Sequence, residues 1–317
     1  GLLATAAFGN DRAGHAALAA WAAALGPVEA FGIEGTSSWG KTLTAHLTSH
    51  GARIIEVNTT SPGERRSRGK SDPLDAEAAA RAVLDGRANA VPKTGTGPAE
   101  ALRTLTIARD GAVKARTEAG NALQALLTDD PDLAQACKAK GRKATAQHLA
   151  RLRPGKGTDA RTARRTALRS TARRWLALDT EAADLEHQIT TLAAQAAPDL
   201  VGAYGIGPHT AATILTAVGD NPDRIRSEAA FAKMAGACPL PTGSGQTAGR
   251  HRLNRGGNRG LNRALYLIAL TRMAGEQRTK DFVTRQLARG KTKKETIRIL
   301  KRHIAREIYR LLPAPTT

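Results

Sequence analysis

Apolar and polar positions change period several times along the chain, and each change marks an element. Residues 2–8 alternate loosely, the pattern of a strand, before a turn at Gly9-Asn10-Asp11. The Ala-rich run 13–26 sets Leu18, Trp21 and Leu25 at helical spacing and stops at Gly26. VEAFGIE (28–34) predicts a short strand, 37–51 a helix closed by Gly51, and ARIIEVN (52–58) the next strand. Strands alternating with helices predict an α/β sheet with some parallel pairing. Residues 59–70 are polar and basic, a loop, and 71–86 open a strong helix. There Asp72 fits the N-cap, Pro73 the first helical position and Asp75 the third.

Beyond residue 97 the period is helical almost throughout. One helix is predicted from Pro98 to about Leu127, a polar, basic stretch over 128–158, and a long helix over 160–196. Trp175, Leu178, Leu185 and Ile189 recur at three- and four-residue steps on the latter, so the pair reads as a hairpin or an oligomerising coiled coil. In 200–220, Gly-Ile-Gly-Pro lies between two short helical patterns. That matches a helix-hairpin-helix, in which the backbone at Gly205 and Gly207 could approach a phosphate, and an ordinary helix-capping turn would look the same. A helix over 227–238, a long loop over 238–260 and a buried-type helix over 261–275 follow. The amphipathic basic helix 291–312 gathers Ile297, Leu300, Ile304, Ile308 and Leu311 on one face. The fold class is α/β plus all-α, in three parts: 1–95, 96–197 and 198–317.

Charge narrows the partners. The 317 residues carry 48 Lys and Arg against 28 Asp and Glu, a formal charge of +20 and a pI near 10.8. Nucleic acid is the usual partner of such a surplus. An acidic membrane surface is the competing partner and is not the one expected, because no apolar run approaches spanning length. The two cysteines, Cys137 and Cys238, are far apart, which argues against a zinc module or a disulfide framework. The eight histidines read as scattered, without metal-ligand spacing. With no secretory signal, a reducing cytoplasm is the expected compartment.

Three features carry candidate chemistry. GTSSWGKT (35–42) fits the phosphate-cradling P-loop, with Lys41 reaching phosphates and Thr42 a magnesium ion. A working P-loop also wants an acid ending an apolar strand, and the nearest, Glu56, is not terminal. The expectation is therefore a turn at Gly35, an N-cap at Ser37 or Ser38, and Lys41 as a solvated helix residue. Second, Glu34 ends a central strand, while Asp72 and Asp75 project to one side of a helix start. Hard oxygen ligands so placed could hold divalent metal for phosphoryl chemistry, although D-P-L-D is also a good capping sequence. Third, Ser244 lies between two glycines beside Arg250, Arg252, Arg255, Arg259 and Arg263, with no acid among them. A serine so placed could attack a phosphate or be a turn residue, and the arginines suit phosphate contact.

These residues, in this order, resemble the IS110/IS1111 (IS116/IS110/IS902) family of insertion-sequence transposases. The resemblance is carried by FGIEGTSSWG, RRSRGKSDPLDAEAAARA and ALRTLTIARDGAVKARTEAGNAL. It continues in GIGPHTAATILTAVGDNPDRIRSEAAFAKMAGACPLPTGSG and RHRLNRGGNRGLNRALYLIALTRM. It implies a RuvC-like, RNase H-type N-terminal domain with a D-E-D-D quartet, a helical spacer, and a C-terminal domain with a nucleophilic serine. Carried over, Glu34 is the quartet's Glu, Asp72 and Asp75 its final pair, and Ser244 the serine, in Gly-Ser-Gly where the family often has Ser-Ser-Gly. Lys70, Gly205, Gly207 and the five arginines are the expected nucleic-acid contacts. Magnesium, DNA, an element-encoded guide RNA and a homo-oligomer (dimer or tetramer) are the implied partners. The family's first Asp lies on an opening strand, and Gly1 enters after it, so an N-terminally truncated domain that does not catalyse strand exchange by itself is expected. A RuvC-like Holliday-junction nuclease and a non-catalytic DNA- or RNA-binding remnant are the alternatives.

Overall fold

A computed structural model describes residues 1–57, 71–241, 251–254 and 256–313. They group into two compact units, one of residues 1–97 with 218–231 and one of 98–217 with 232–313.

In the first unit, α1 (Arg12–Ala24) is capped by Asp11, whose carboxylate accepts the Gly14 amide at 2.8 Å. Strand β1 (Phe31–Glu34) pairs in parallel with β2 (Ile54–Val57), in a register that sets Phe31 opposite Ile54 and Glu34 opposite Val57. A parallel pair needs a crossover, and α2 (Lys41–Ser49) supplies it. Ile33, Leu47 and Ile54 form the small core between them, with Ala19, Phe31, Leu43 and Ala52 around it. Helix α3 (Asp72–Leu84) crosses β1 so closely that a Cβ on Gly32 would lie 2.8 Å from Val83 Cγ2 and 3.0 Å from the Ala79 carbonyl. Gly32→Val is therefore expected to destabilise the unit by about 2 kcal/mol, from overpacking. A urea midpoint unchanged from wild type would contradict this close approach.

The strand predicted for 2–8 is absent: the stretch has no ladder partner among the described residues, and Leu2 and Leu3 are exposed. A strand exists only by pairing, so alternation alone could not make one.

In the second unit, α4 (Pro98–Thr128) and α7 (Ala160–Ala196) pack against each other and run antiparallel as a hairpin. Arg109 Nε meets Glu186 at 2.7 Å, and Arg116 meets Asp179 at 2.6 Å, one helix counting up as the other counts down. Asp179 also takes Lys143 at 3.1 Å, and these partners, Lys143 foremost, hold its carboxyl below the usual range. The polar, basic stretch 128–158 contains α5 (Pro131–Cys137) and α6 (Arg142–Ala150). Asp130 caps α5 ahead of Pro131, and Leu133, Cys137, Ala146 and Leu149 join Leu123, Leu168 and Trp175 in one core. Tertiary burial stabilises helices too short to stand alone.

Next come α8 (Pro198–Gly202), α9 (Pro208–Val218), a 3-10 turn (Pro222–Arg224) and α10 (Glu228–Met234). Within 238–260, expected as loop throughout, β3 (Pro239–Pro241) and β4 (His251–Leu253) form a short antiparallel hairpin. Helices α11 (Arg259–Gly275), α12 (Gln277–Ala288) and α13 (Lys293–Arg310) close the unit. Thr292 and Glu295 form a reciprocal capping box on α13, and Leu300, Ile304 and Ile308 are buried along its apolar face. Ile297 and Leu311 are half-buried. No helix among the described residues is long and apolar enough to cross a membrane.

Candidate active site and nucleic-acid interface

Glu34 is half-buried at the carboxyl end of β1, where open α/β sheets present their ligand-binding edge. The chain then turns back sharply through Gly35, whose φ is +67°. A Cβ on Gly40 would stand 2.8 Å from both the Glu34 carbonyl and Ile33 Cγ2, so glycine alone permits this close return. The amides of Ser38 and Gly40 both donate to the Gly35 carbonyl, at 2.8 and 3.0 Å. Those two amides are engaged in the turn and are not offered to a phosphate, as a plain turn rather than a P-loop would have it. The turn at Gly35 is as expected, but α2 starts from Gly40 rather than from Ser37 or Ser38, and Lys41 is half-buried rather than solvated. The same turn leaves Trp39 87% exposed, an aromatic surface beside the Glu34 edge that sequence reasoning passed over.

The start of α3 differs from expectation by one residue. Ser71 is the extended N-cap, Asp72 is the first helical residue and Pro73 the second. Proline there is unrestrictive, since the first amides of a helix lack intrahelical partners. Asp72 is exposed and Asp75 half-buried in the first turn, where carboxylates also complement the helix dipole. β1 and α3 are neighbours, so Glu34 and the Asp pair stand on adjacent elements. Among the described residues, however, no three His, Cys, Asp or Glu side chains gather closely enough to hold a metal ion. That includes the histidines, which are less scattered than they read. His46 and His50 are four apart on α2 with ring centroids 4.5 Å apart, and His15 lies 5.8 Å from His46.

Ser244, Lys70, Arg250 and Arg255 lie outside the described residues. Arg252 is on β4, while Arg259 and Arg263 are exposed four residues apart on α11. The hairpin that brackets 242–250 has an unexpected anchor. Asn254 Nδ2 donates to the Lys233 carbonyl at 3.3 Å, the Asn258 amide to Met234 at 2.7 Å, and Asn262 Nδ2 to Ala235 at 2.7 Å. Three successive carbonyls at the end of α10, groups a helix terminus leaves without intrahelical partners, are thus taken by asparagines spaced every four residues. The N-x-x-x-N-x-x-x-N spacing in 254–262 was the available signal. Lys301 Nζ completes the chain of contacts at 2.6 Å from Asn262 Oδ1, and burial lowers its pKa.

Between α8 and α9, Gly205 has φ +82°, and a Cβ there would be 3.3 Å from Arg272 Cγ. Gly205 thus packs on α11, whereas a Cβ on Gly207 would meet nothing within 4 Å. Both cysteines are free, Cys137 in the hairpin core and Cys238 accepting from Asn254 Nδ2 at 3.2 Å.

Two family models match the chain. Residues 2–129 match an IS110-type DEDD model described as "Transposase", and residues 200–284 match "Transposase IS116/IS110/IS902 family". A relative from Streptomyces coelicolor, "Insertion element IS110 uncharacterized 43.6 kDa protein", is 35% identical over 130 residues. That alignment covers 40% of this chain and 32% of the relative.

Proposed function

The chain belongs to the IS116/IS110/IS902 family of transposases, and from that membership we propose that it is a DNA transposase or recombinase of an insertion sequence. One observation carries the reading. The segment holding Glu34, Asp72 and Asp75 matches the DEDD model, and the segment holding Ser244 and the arginines matches the second, in one chain and in that order. In this reading the first segment is a RuvC-like domain. Glu34, Asp72 and Asp75 are its acidic set, with magnesium the expected ion. Because the three carboxylates do not close on one point here, no chemical step is assigned to the ion.

The chemistry proposed for the chain's own residues is transesterification. Ser244 Oγ gives up its proton and forms a bond to a DNA phosphorus. The P–O bond to the neighbouring deoxyribose breaks, and its oxygen leaves as a hydroxyl after taking a proton. The phosphoserine link preserves the phosphodiester energy for rejoining to a second strand. Arg259 and Arg263, with Arg250, Arg252 and Arg255, would neutralise phosphate, and Lys70 and the Gly205–Gly207 turn would contact backbone. An element-encoded RNA as guide, and a dimer or tetramer pairing one subunit's carboxylates with another's serine, complete the proposal. Such a protein would work in the cytoplasm, on the nucleoid.

The test is a labelled junction of the element that encodes the chain, incubated with magnesium. Strand-exchange products are expected, and Glu34→Gln should reduce them at least 100-fold while DNA binding persists. DNA bound with no strand cut would favour the non-catalytic remnant. Products indifferent to Glu34→Gln would remove the acidic site.

A further inference from the structure

A large block of positive charge in the chain lies outside the residues just assigned. From Lys138 to Leu178 there are thirteen Lys and Arg against one acid, Asp159. Asp159 is engaged as the N-cap of α7, accepting the amides of Arg161 and Thr162 at 3.0 Å and the Thr162 hydroxyl at 2.7 Å. The next acid, Asp179, holds Arg116 and Lys143. Among the described residues no carboxylate pairs with the side chains of Arg161, Arg164, Arg165, Arg169, Arg173 or Arg174.

Structure accounts for only part of this charge. Leu168, Ala172 and Trp175 turn one face of α7 into the core. Arg161, Arg165, Arg169 and Arg173 recur every fourth residue as a row rising about 6 Å per step. Arg165 and Arg169 are half-buried on the flank of the apolar face, and their Nε atoms are enclosed with no hydrogen-bond partner among the described residues. With no carboxylate paired to them, these guanidinium groups are left to make charge-assisted hydrogen bonds to an external anion through whatever part of each group faces solvent. Arg161, Arg173 and Arg174 are exposed. So many like charges at one end of a hairpin repel one another unless a polyanion compensates them.

The segment also indicates which polyanion. Its one Phe, Tyr or Trp is Trp175, which is buried, so no aromatic platform is offered to unpaired bases. The arginine row suits a regular phosphodiester backbone. We infer that the α5–α6 end of the helical hairpin, with the N-terminal half of α7, is a binding surface for the backbone of duplex DNA, independent of base sequence. This rests on the DNA-acting reading above and adds a binding surface to it.

Fluorescence anisotropy of the full chain with a 30-bp DNA duplex of arbitrary sequence, titrated across salt concentrations, tests the surface. Arg165→Gln/Arg169→Gln/Arg173→Gln should weaken binding at least tenfold near physiological salt. It should also reduce the slope of log K against log salt by about two to three, since each phosphate no longer neutralised lowers the slope by about 0.9. Should the half-buried positions upset folding, seen by circular dichroism, Arg161→Gln/Arg173→Gln/Arg174→Gln changes exposed residues alone and is expected to act in the same direction. Unchanged affinity and slope, with wild type binding DNA, would overturn the surface and leave the transposase reading standing. Wild type failing to bind the duplex even at low salt would overturn the DNA reading itself. Weakened binding to an RNA duplex of the same sequence, with DNA binding intact, would overturn DNA as the occupant.

Discussion

Ser244→Ala is expected to abolish the covalent protein–DNA adduct on a cognate element junction while leaving DNA affinity within about twofold. The hydroxyl is the only group removed, and on the proposed chemistry it is the atom that bonds to phosphorus. The arginines around it and the asparagine-anchored hairpin are untouched, so binding has no reason to fall. Removing the nucleophile of a covalent mechanism typically costs a factor of at least ~10³, because what remains is electrostatic stabilisation without an attacking group. The measurement is a denaturing gel of end-labelled DNA, on which the adduct survives as a protein-shifted band. The outcome separates two chemistries that share the same carboxylates. A RuvC-like nuclease attacks with water, forms no adduct and cuts equally well without Ser244. An adduct yield undiminished in Ser244→Ala would place the nucleophile elsewhere.

Much of the architecture was legible in sequence because it rests on local period. The helix expected over about 160–196 spans Ala160–Ala196, with Asp159 capping one end and Pro198 following the other. Glu34 was legible as a strand end because Gly35 must turn with positive φ. What sequence could not give depends on contacts made across the chain. β3 and β4 are three residues each, and β3 begins and ends in proline, a pattern that reads as loop until a partner strand is present. α5 and α6 owe their order to a core completed by Leu168 and Trp175 from α7. The capping role given to Asp72 fell to Ser71, because D-P-L-D and S-D-P both satisfy a helix start and only the backbone turn decides. The carboxylates were rightly paired by sequence on one helix start. Whether they meet Glu34 at one point is a matter of ångströms that no spacing rule encodes.

A buried ion pair in the second unit gives the largest expected effect on stability. The Arg272 side chain is 7% exposed and donates from Nε to the Tyr204 carbonyl at 2.8 Å. Its two terminal nitrogens clasp Glu307 at 2.7 and 2.8 Å, joining α11 to α13. Removing one partner of a buried pair costs about 3–5 kcal/mol when the charge left behind is sealed from water. Here the two partners differ, because Glu307 is 44% exposed and can rehydrate, whereas Arg272 cannot. Glu307→Gln should therefore cost more than Arg272→Met. Discounting for the solvent at Glu307, the losses are about 2–3 and 1–2 kcal/mol. Thermal melts at neutral pH would read the larger loss as a fall of roughly 5–10 °C. The hydrogen bonds from Arg272 hold the Glu307 carboxyl below its usual range. Its contribution is therefore complete above the unfolded value, about 4.3, and is lost as pH falls through the lower folded value. Wild type and Glu307→Gln should accordingly differ at pH 7 and converge in acid. A gap that persists undiminished in acid would mean that packing of the Glu307 stem, rather than its charge, joins the two helices.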